Sequence, residues 1–113
     1  MPYTATHRSE APTREQIDAL DGLAVLEFGT GWCGHCQRAQ PLIEQLLGPR
    51  DDVAHIKIED GPGRPLGRSF GVKLWPTLVF LRHGREVARL VRPTDPDAFA
   101  PAMQALDGAP AAG

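Results

Sequence analysis

Cys33 and Cys36 are the only cysteines in the chain, and two residues separate them. A bond between them closes a very small ring, which restrains an unfolded chain far less than a long-range staple does. The pair therefore reads as chemistry rather than as a disulfide framework. Cys33 follows an apolar strand pattern and precedes a helical one, so its sulfur belongs at a helix N-terminus. Unpaired backbone N–H groups there favour an anion, and thiols in such motifs have pKa values of roughly 3.5–7.5 instead of about 8.5. The thiolate is the attacking species in disulfide exchange. Cys36, one turn further on, is in range to attack a mixed disulfide on Cys33. The roles follow in order: Cys33 nucleophile, Cys36 resolving thiol. Two ordinary buried cysteines are the competing reading, but they would not need this strand-to-helix placement. Zinc requires about four ligands. With no second cysteine pair, it would have to recruit His35 and His55, so no metal is expected.

Other side chains bear on the same chemistry. Glu27 interrupts the apolar run Leu23–Phe28, where a solvated carboxylate does not belong. Burial raises a carboxyl pKa, so Glu27 is a candidate to take up or give a proton near neutral pH; the alternatives are snorkelling or pairing with Lys57 or His55. His35 lies between the cysteines. Protonated, it would favour the Cys33 thiolate and make the disulfide more oxidising, by about 30 mV for each roughly 1.4 kcal/mol; the alternative is a solvated side chain. Trp32 precedes the nucleophile as a shield and an apolar platform, unless it is simply core. His7 and His83 read as surface residues. Arg82, Arg85, Arg89 and Arg92 read as a solvated edge guarding against strand pairing.

These residues need elements to hold them. Thr13 and Gln16 have capping-box spacing, Ile17 and Leu20 share a face and Gly22 is a stop, which predicts a short helix at about 14–20. Leu23–Phe28 reads as a strand covered on both faces. After the cysteines, Ala39, Leu42, Ile43, Leu46 and Leu47 form one helical stripe, with Pro41 inside it and Gly48-Pro49 ending it. Val53–Glu59 reads as a second strand, 60–67 as a loop, and 65–70 as a short helix stopping at Gly71. Thr77–Leu81 and about 86–91 read as a hairpin through Arg82-His83-Gly84-Arg85. Either Asp95 with Pro96, or Thr94 with Asp97, starts a last helix whose inner face is Phe99, Ala102, Met103 and Leu106; Pro101 is expected to shorten it.

The 113 residues suit one domain. We expect residues 1–12 to be a flexible segment or short edge strand, 13–106 the domain and 107–113 a flexible tail. Apolar residues at 42% and charged residues at 23% fit a folded protein. The 12 basic and 14 acidic side chains leave −2, so no field for nucleic acid or anionic membrane is implied. No run approaches 18 apolar residues, and the first 22 hold no signal-like apolar region. The expected location is cytoplasmic, or periplasmic if an upstream signal has been removed.

Trp32-Cys33-Gly34-His35-Cys36 after an apolar strand, Pro41 in the next helix and Trp75-Pro76-Thr77 opening a later strand together resemble the thioredoxin family, over residues 13–106. The resemblance implies the α/β thioredoxin fold, a three-layer α/β/α sandwich about a central mixed sheet of four or five strands. It also implies thiol–disulfide oxidoreductase activity and a cis peptide before Pro76, where residue statistics alone favour trans. The family places that peptide beside the dithiol, where the Trp75 backbone pairs with an extended substrate. Trp32, Gly34, Trp75 and Pro76 are thus the implied substrate-binding residues; Cys33, Cys36, Glu27 and His35 are the implied catalytic ones. Thioredoxins carry Asp as the buried acid where Glu27 stands and Lys at the position of His55. Gly34-His35 is similar to the dipeptide of protein disulfide isomerases, whereas cytosolic thioredoxins usually carry Gly-Pro. Gly29 stands where the family usually has another Trp, Trp75 replaces a smaller aliphatic residue, and Arg92 lies near a glycine of the docking surface. The function expected is a monomeric reductase of protein disulfides, needing no organic cofactor or metal. Its partners would be disulfide-containing or dithiol proteins and a thioredoxin-reductase-like electron donor. A thioredoxin-like binding module with little turnover is the alternative that Gly29, Trp75 and Arg92 motivate.

Overall fold

The computed structural model describes residues 3–8 and 10–108. Thr13 opens α1 (Arg14–Asp18): its hydroxyl accepts the Gln16 N–H while the Gln16 side chain accepts the Thr13 N–H. That reciprocal cap satisfies two otherwise orphaned donors. The helix ends earlier than its spacing predicts, with Ala19 as its C-cap. The chain turns through Gly22 into β1 (Leu23–Gly29), and Cys33 then caps α2 (Gly34–Leu47), which continues through Pro41. There follow β2 (Val53–Glu59), α3 (Pro65–Ser69), β3 (Thr77–Arg82), β4 (Arg85–Val91) and α4 (Pro96–Leu106).

The sheet has four strands in the order β2-β1-β3-β4. β1 runs parallel to β2 and antiparallel to β3, and β3 and β4 form the expected hairpin. Its two-residue turn, His83-Gly84, has positive φ at both positions (50° and 77°), the geometry whose twist matches flanking strands. The pleat sends alternate β1 residues to opposite faces. Val25 joins Ile43 and Leu47 of α2 and Phe99 and Leu106 of α4 in one core. Ala24, Leu26 and Phe28 join Ile17 of α1 and Leu66 and Phe70 around α3 in the other. This is the three-layer sandwich. It places Glu27 and Gly29 on the same face as Val25, under α2.

Asp95, with Pro96 at the first helical position, is the cap that α4 uses; its carboxylate accepts the Ala98 N–H at 3.2 Å. Pro101 does not shorten α4, which reaches Leu106. Pro101 is exposed while Phe99 and Leu106 are fully buried. Burying those two at roughly 1.5–3 kcal/mol each offsets the roughly 3 kcal/mol of an interior proline.

Residues 3–8 lie along the outer edge of β2. Arg8 N–H donates to Lys57 O at 2.7 Å, Arg8 O accepts the Glu59 N–H at 3.0 Å, and the Thr4 hydroxyl donates to His55 O at 2.7 Å. Arg8 and Ile58 form an isolated parallel bridge rather than a fifth strand. Residues 1, 2 and 9 of the N-terminal segment and 109–113 of the C-terminal tail lie outside the described residues.

Candidate active site

Cys33 sits where β1 hands over to α2. As N-cap it has extended backbone (φ −77°, ψ 119°), and its Sγ accepts the Cys36 N–H at 3.3 Å. That donor is one of the N–H groups a helix start leaves unpaired. The two thiols occupy different environments. Cys33 is 8% exposed and Cys36 only 1%. The Cys36 thiol is pushed up to about 12, first by burial, then by its hydrogen bond with Cys33 and by the charges of Cys33 and Glu27, with the Thr30 backbone opposing.

Beneath Cys36 lies a buried polar network. Register places Glu27 opposite Lys57 and Val25 opposite His55. Glu27 is fully buried. Its Oε1 accepts from His55 Nε2 at 2.8 Å, its Oε2 accepts from Gln40 Nε2 at 2.8 Å, and Lys57 Nζ stands 3.8 Å from Oε2. Burial alone would raise this carboxyl. The His55 hydrogen bond, the Lys57 charge and the Gln40 hydrogen bond outweigh it and hold Glu27 below its ordinary range. The expectation of a raised carboxyl is therefore corrected: two hydrogen-bond donors and the Lys57 charge, from β2 and α2, stabilise the anion. His55 Nδ1 accepts the Thr4 N–H at 2.8 Å, which assigns the remaining ring proton to Nε2. Gln40 also donates to Cys36 O at 2.8 Å and accepts from Tyr3 Oη and Lys57 Nζ, so its amide joins the acid to the resolving cysteine's backbone. Burial lowers Lys57, against the opposing charges of Glu27 and Cys36.

Around the thiols, Trp32 is 74% exposed, an apolar platform rather than core. It meets Trp75 edge to face at 5.7 Å between ring centroids. Trp75 Nε1 donates to Asp60 Oδ2 at 2.9 Å, and the Trp75–Pro76 peptide is cis, as the resemblance implies. Arg92, with φ 51°, reaches back so that its Nε donates to Trp75 O at 2.8 Å. It is thus tied to the backbone that precedes the cis proline. His35 is exposed, and its Nδ1 pairs with Arg38 Nη2 at 3.1 Å. The Arg92 charge, partial desolvation and the Arg38 charge lower its pKa, which acts against the protonated form that would favour the Cys33 thiolate. The fixed positive charges here are guanidinium groups. His83 is exposed as expected. His7 is not: it is half-buried and faces Gly29.

Gln40, Asp60 and Arg38 are absent from the residues singled out by sequence. Gln40 falls one turn beyond Cys36 on the α2 face that covers Glu27, the one spacing signal that could have found it. Among the described residues, no group of three or more His, Cys, Asp and Glu is placed to hold a metal ion, and no helix is long and apolar enough to cross a membrane.

The family model of thioredoxin matches residues 5–105. Thioredoxin 2 from Pseudomonas aeruginosa, solved in its reduced form, is 54% identical, with TM-score 0.82 over 94% of this chain and 98% of that one. Thioredoxin of Rhodospirillum rubrum is 34% identical over 83 residues, 71% of this chain and 78% of its own length. Thioredoxin H2-1 of Oryza sativa subsp. japonica is 35% identical over 69 residues, 61% of this chain and 50% of that protein, so the chain spans about half the length of that plant relative. A dithiol at the head of α2, a cis-proline beside it and a four-stranded mixed sheet between two helix layers agree with these matches: the chain belongs to the thioredoxin family.

Proposed function

We propose that the chain reduces protein disulfides by dithiol–disulfide exchange. The observation that carries this reading is the asymmetry of the pair: Cys33 at the rim, capped by the Cys36 N–H, and Cys36 buried behind it with its thiol pushed up to about 12. The Cys33 thiolate attacks a substrate disulfide, one substrate sulfur leaves, and a mixed disulfide remains on Cys33. Cys36 then attacks Cys33 Sγ, closing the Cys33–Cys36 disulfide and releasing the second substrate sulfur. Trp32, Gly34, Trp75 and Pro76 would border the substrate, an extended segment lying against the exposed Trp32 ring. A dithiol protein able to reduce the closed pair would serve as electron donor. The electrons pass through the thiols themselves.

The test is insulin reduction by dithiothreitol with and without the protein. Acceleration by the wild type that Cys33→Ser abolishes is the expected result. No acceleration, or full acceleration by Cys33→Ser, would leave a binding module instead.

A further inference from the structure

Resolution requires Cys36 to lose its proton before it attacks, and the network described above holds its carboxylate among cationic and amide donors. Both Glu27 oxygens already accept hydrogen bonds, from His55 and Gln40, with Lys57 close by. The same donors hold its carboxyl below the usual range, which makes it a weak base.

At the end of β1, on the α2 face, Gly29 presents only hydrogen. A Cβ there would fall 2.5 Å from Cys36 Sγ and 3.3 Å from His7 Nε2. The resolving thiol and an imidazole nitrogen thus both border the space that a side chain at position 29 would fill. His7 Nε2 is buried, and no group of the described residues hydrogen-bonds to it, an uncommon state for a buried polar atom. The arm that carries it is pinned on both sides: Lys57 Nζ donates to Ala5 O at 2.9 Å, and Arg8 is hydrogen-bonded to Lys57 and Glu59.

We propose that His7 Nε2 accepts the Cys36 proton in the resolving step. The inference rests on the reductase reading given above. The step balances as follows. Neutral His7 takes the proton from Cys36 Sγ through one water. The freed electron pair forms the Cys36–Cys33 bond, the Cys33–substrate bond breaks, and its pair leaves on the substrate sulfur. His7 then returns the proton to that thiolate or to solvent. Over both steps the substrate gains two electrons and the dithiol loses two. The groups facing His7 are Lys57, Glu59 and His55 of β2 and Glu27 of β1. Burial first, then Lys57 and, last, His55 lower the imidazole, against the opposing charges of Glu27 and Glu59, so the ring is a free base at neutral pH.

The experiment follows reduced protein reacting with 5,5′-dithiobis(2-nitrobenzoate) in a stopped-flow spectrometer. One thionitrobenzoate is released as the mixed disulfide forms on Cys33 and a second as Cys36 resolves it. In His7→Ala and His7→Phe the first phase should keep its rate. The second should slow about 100-fold at neutral pH and lose its imidazole-dependent acid limb, and added imidazole should speed His7→Ala. A second phase with wild-type rate and pH profile in both variants overturns the inference. So does a normal rate in His7→Phe alone, which would mean the ring only fills space. A wild-type protein that forms no mixed disulfide overturns the reductase reading, and this inference with it.

Discussion

Glu27 and Cys36 oppose each other electrostatically, although one amide links them. The Glu27 charge raises the Cys36 thiol, and the donors around Glu27 keep that charge in place. Glu27→Gln should therefore lower the Cys36 pKa. Alkylation of Cys36 measured against pH in a Cys33→Ser background should move to lower pH when Glu27→Gln is added. Movement to higher pH would instead identify Glu27 as the proton acceptor and weaken the case for His7. At this scale the sequence was half legible. That Glu27 is buried follows from its place in an apolar run. The direction of its pKa does not, because the groups that decide it come from β2 and α2 and only register brings them together. The direction of the His35 pKa was hidden for a related reason: Arg38 is visible one turn away, but Arg92 arrives from the far end of β4.

The elements were more legible than the contacts between them. Continuous apolar runs predict β1 and β3, a helical stripe predicts α2, and caps predict the starts of α1 and α4, because each rests on local periodicity or local hydrogen bonding. The arm of residues 3–8 was open between a flexible segment and an edge strand, since backbone bonds to β2 and side-chain bonds from His55, Lys57 and Gln40 fix it and none of them is local in sequence. The meeting of His7, Gly29 and Cys36 depends on that attachment, so a lone histidine near the start of the chain read as surface. The hairpin gives a test at this scale. Gly84 has φ 77°, and a Cβ on it would run into the Asp18 backbone carbonyl at the end of α1. Gly84→Ala should therefore cost roughly 1–3 kcal/mol from backbone strain alone, seen as a lower urea midpoint with unchanged slope. On the proposed reading the folded variant should reduce insulin as fast as the wild type, because the turn lies outside the dithiol site. An unchanged midpoint would mean that α1 and the turn do not pack as described.

For the whole molecule, the buried network should set how the fold responds to acid. The Glu27 carboxyl is depressed in the folded chain and ordinary, about 4.3, when unfolded. Above that ordinary value both states are ionised, and the full stabilising contribution is present. As the pH falls through it toward the folded value, the unfolded chain binds the proton first, and stability declines with each unit. The surface pairs add little to this, since exposed ion pairs contribute about 0–1 kcal/mol. Glu27→Gln removes the titrating group but leaves the Lys57 ammonium buried without its carboxylate. That should cost roughly 3–5 kcal/mol at neutral pH. Urea unfolding at a series of pH values should then give two distinct curves, the wild type far more stable at pH 7 and falling steeply below about pH 4.3, the variant lower and flatter. The two should converge in acid, where the wild-type carboxyl is also neutral. Parallel curves would mean that Glu27 titrates alike in folded and unfolded chains, and that the sheet and α2 hold together without help from the anion between them.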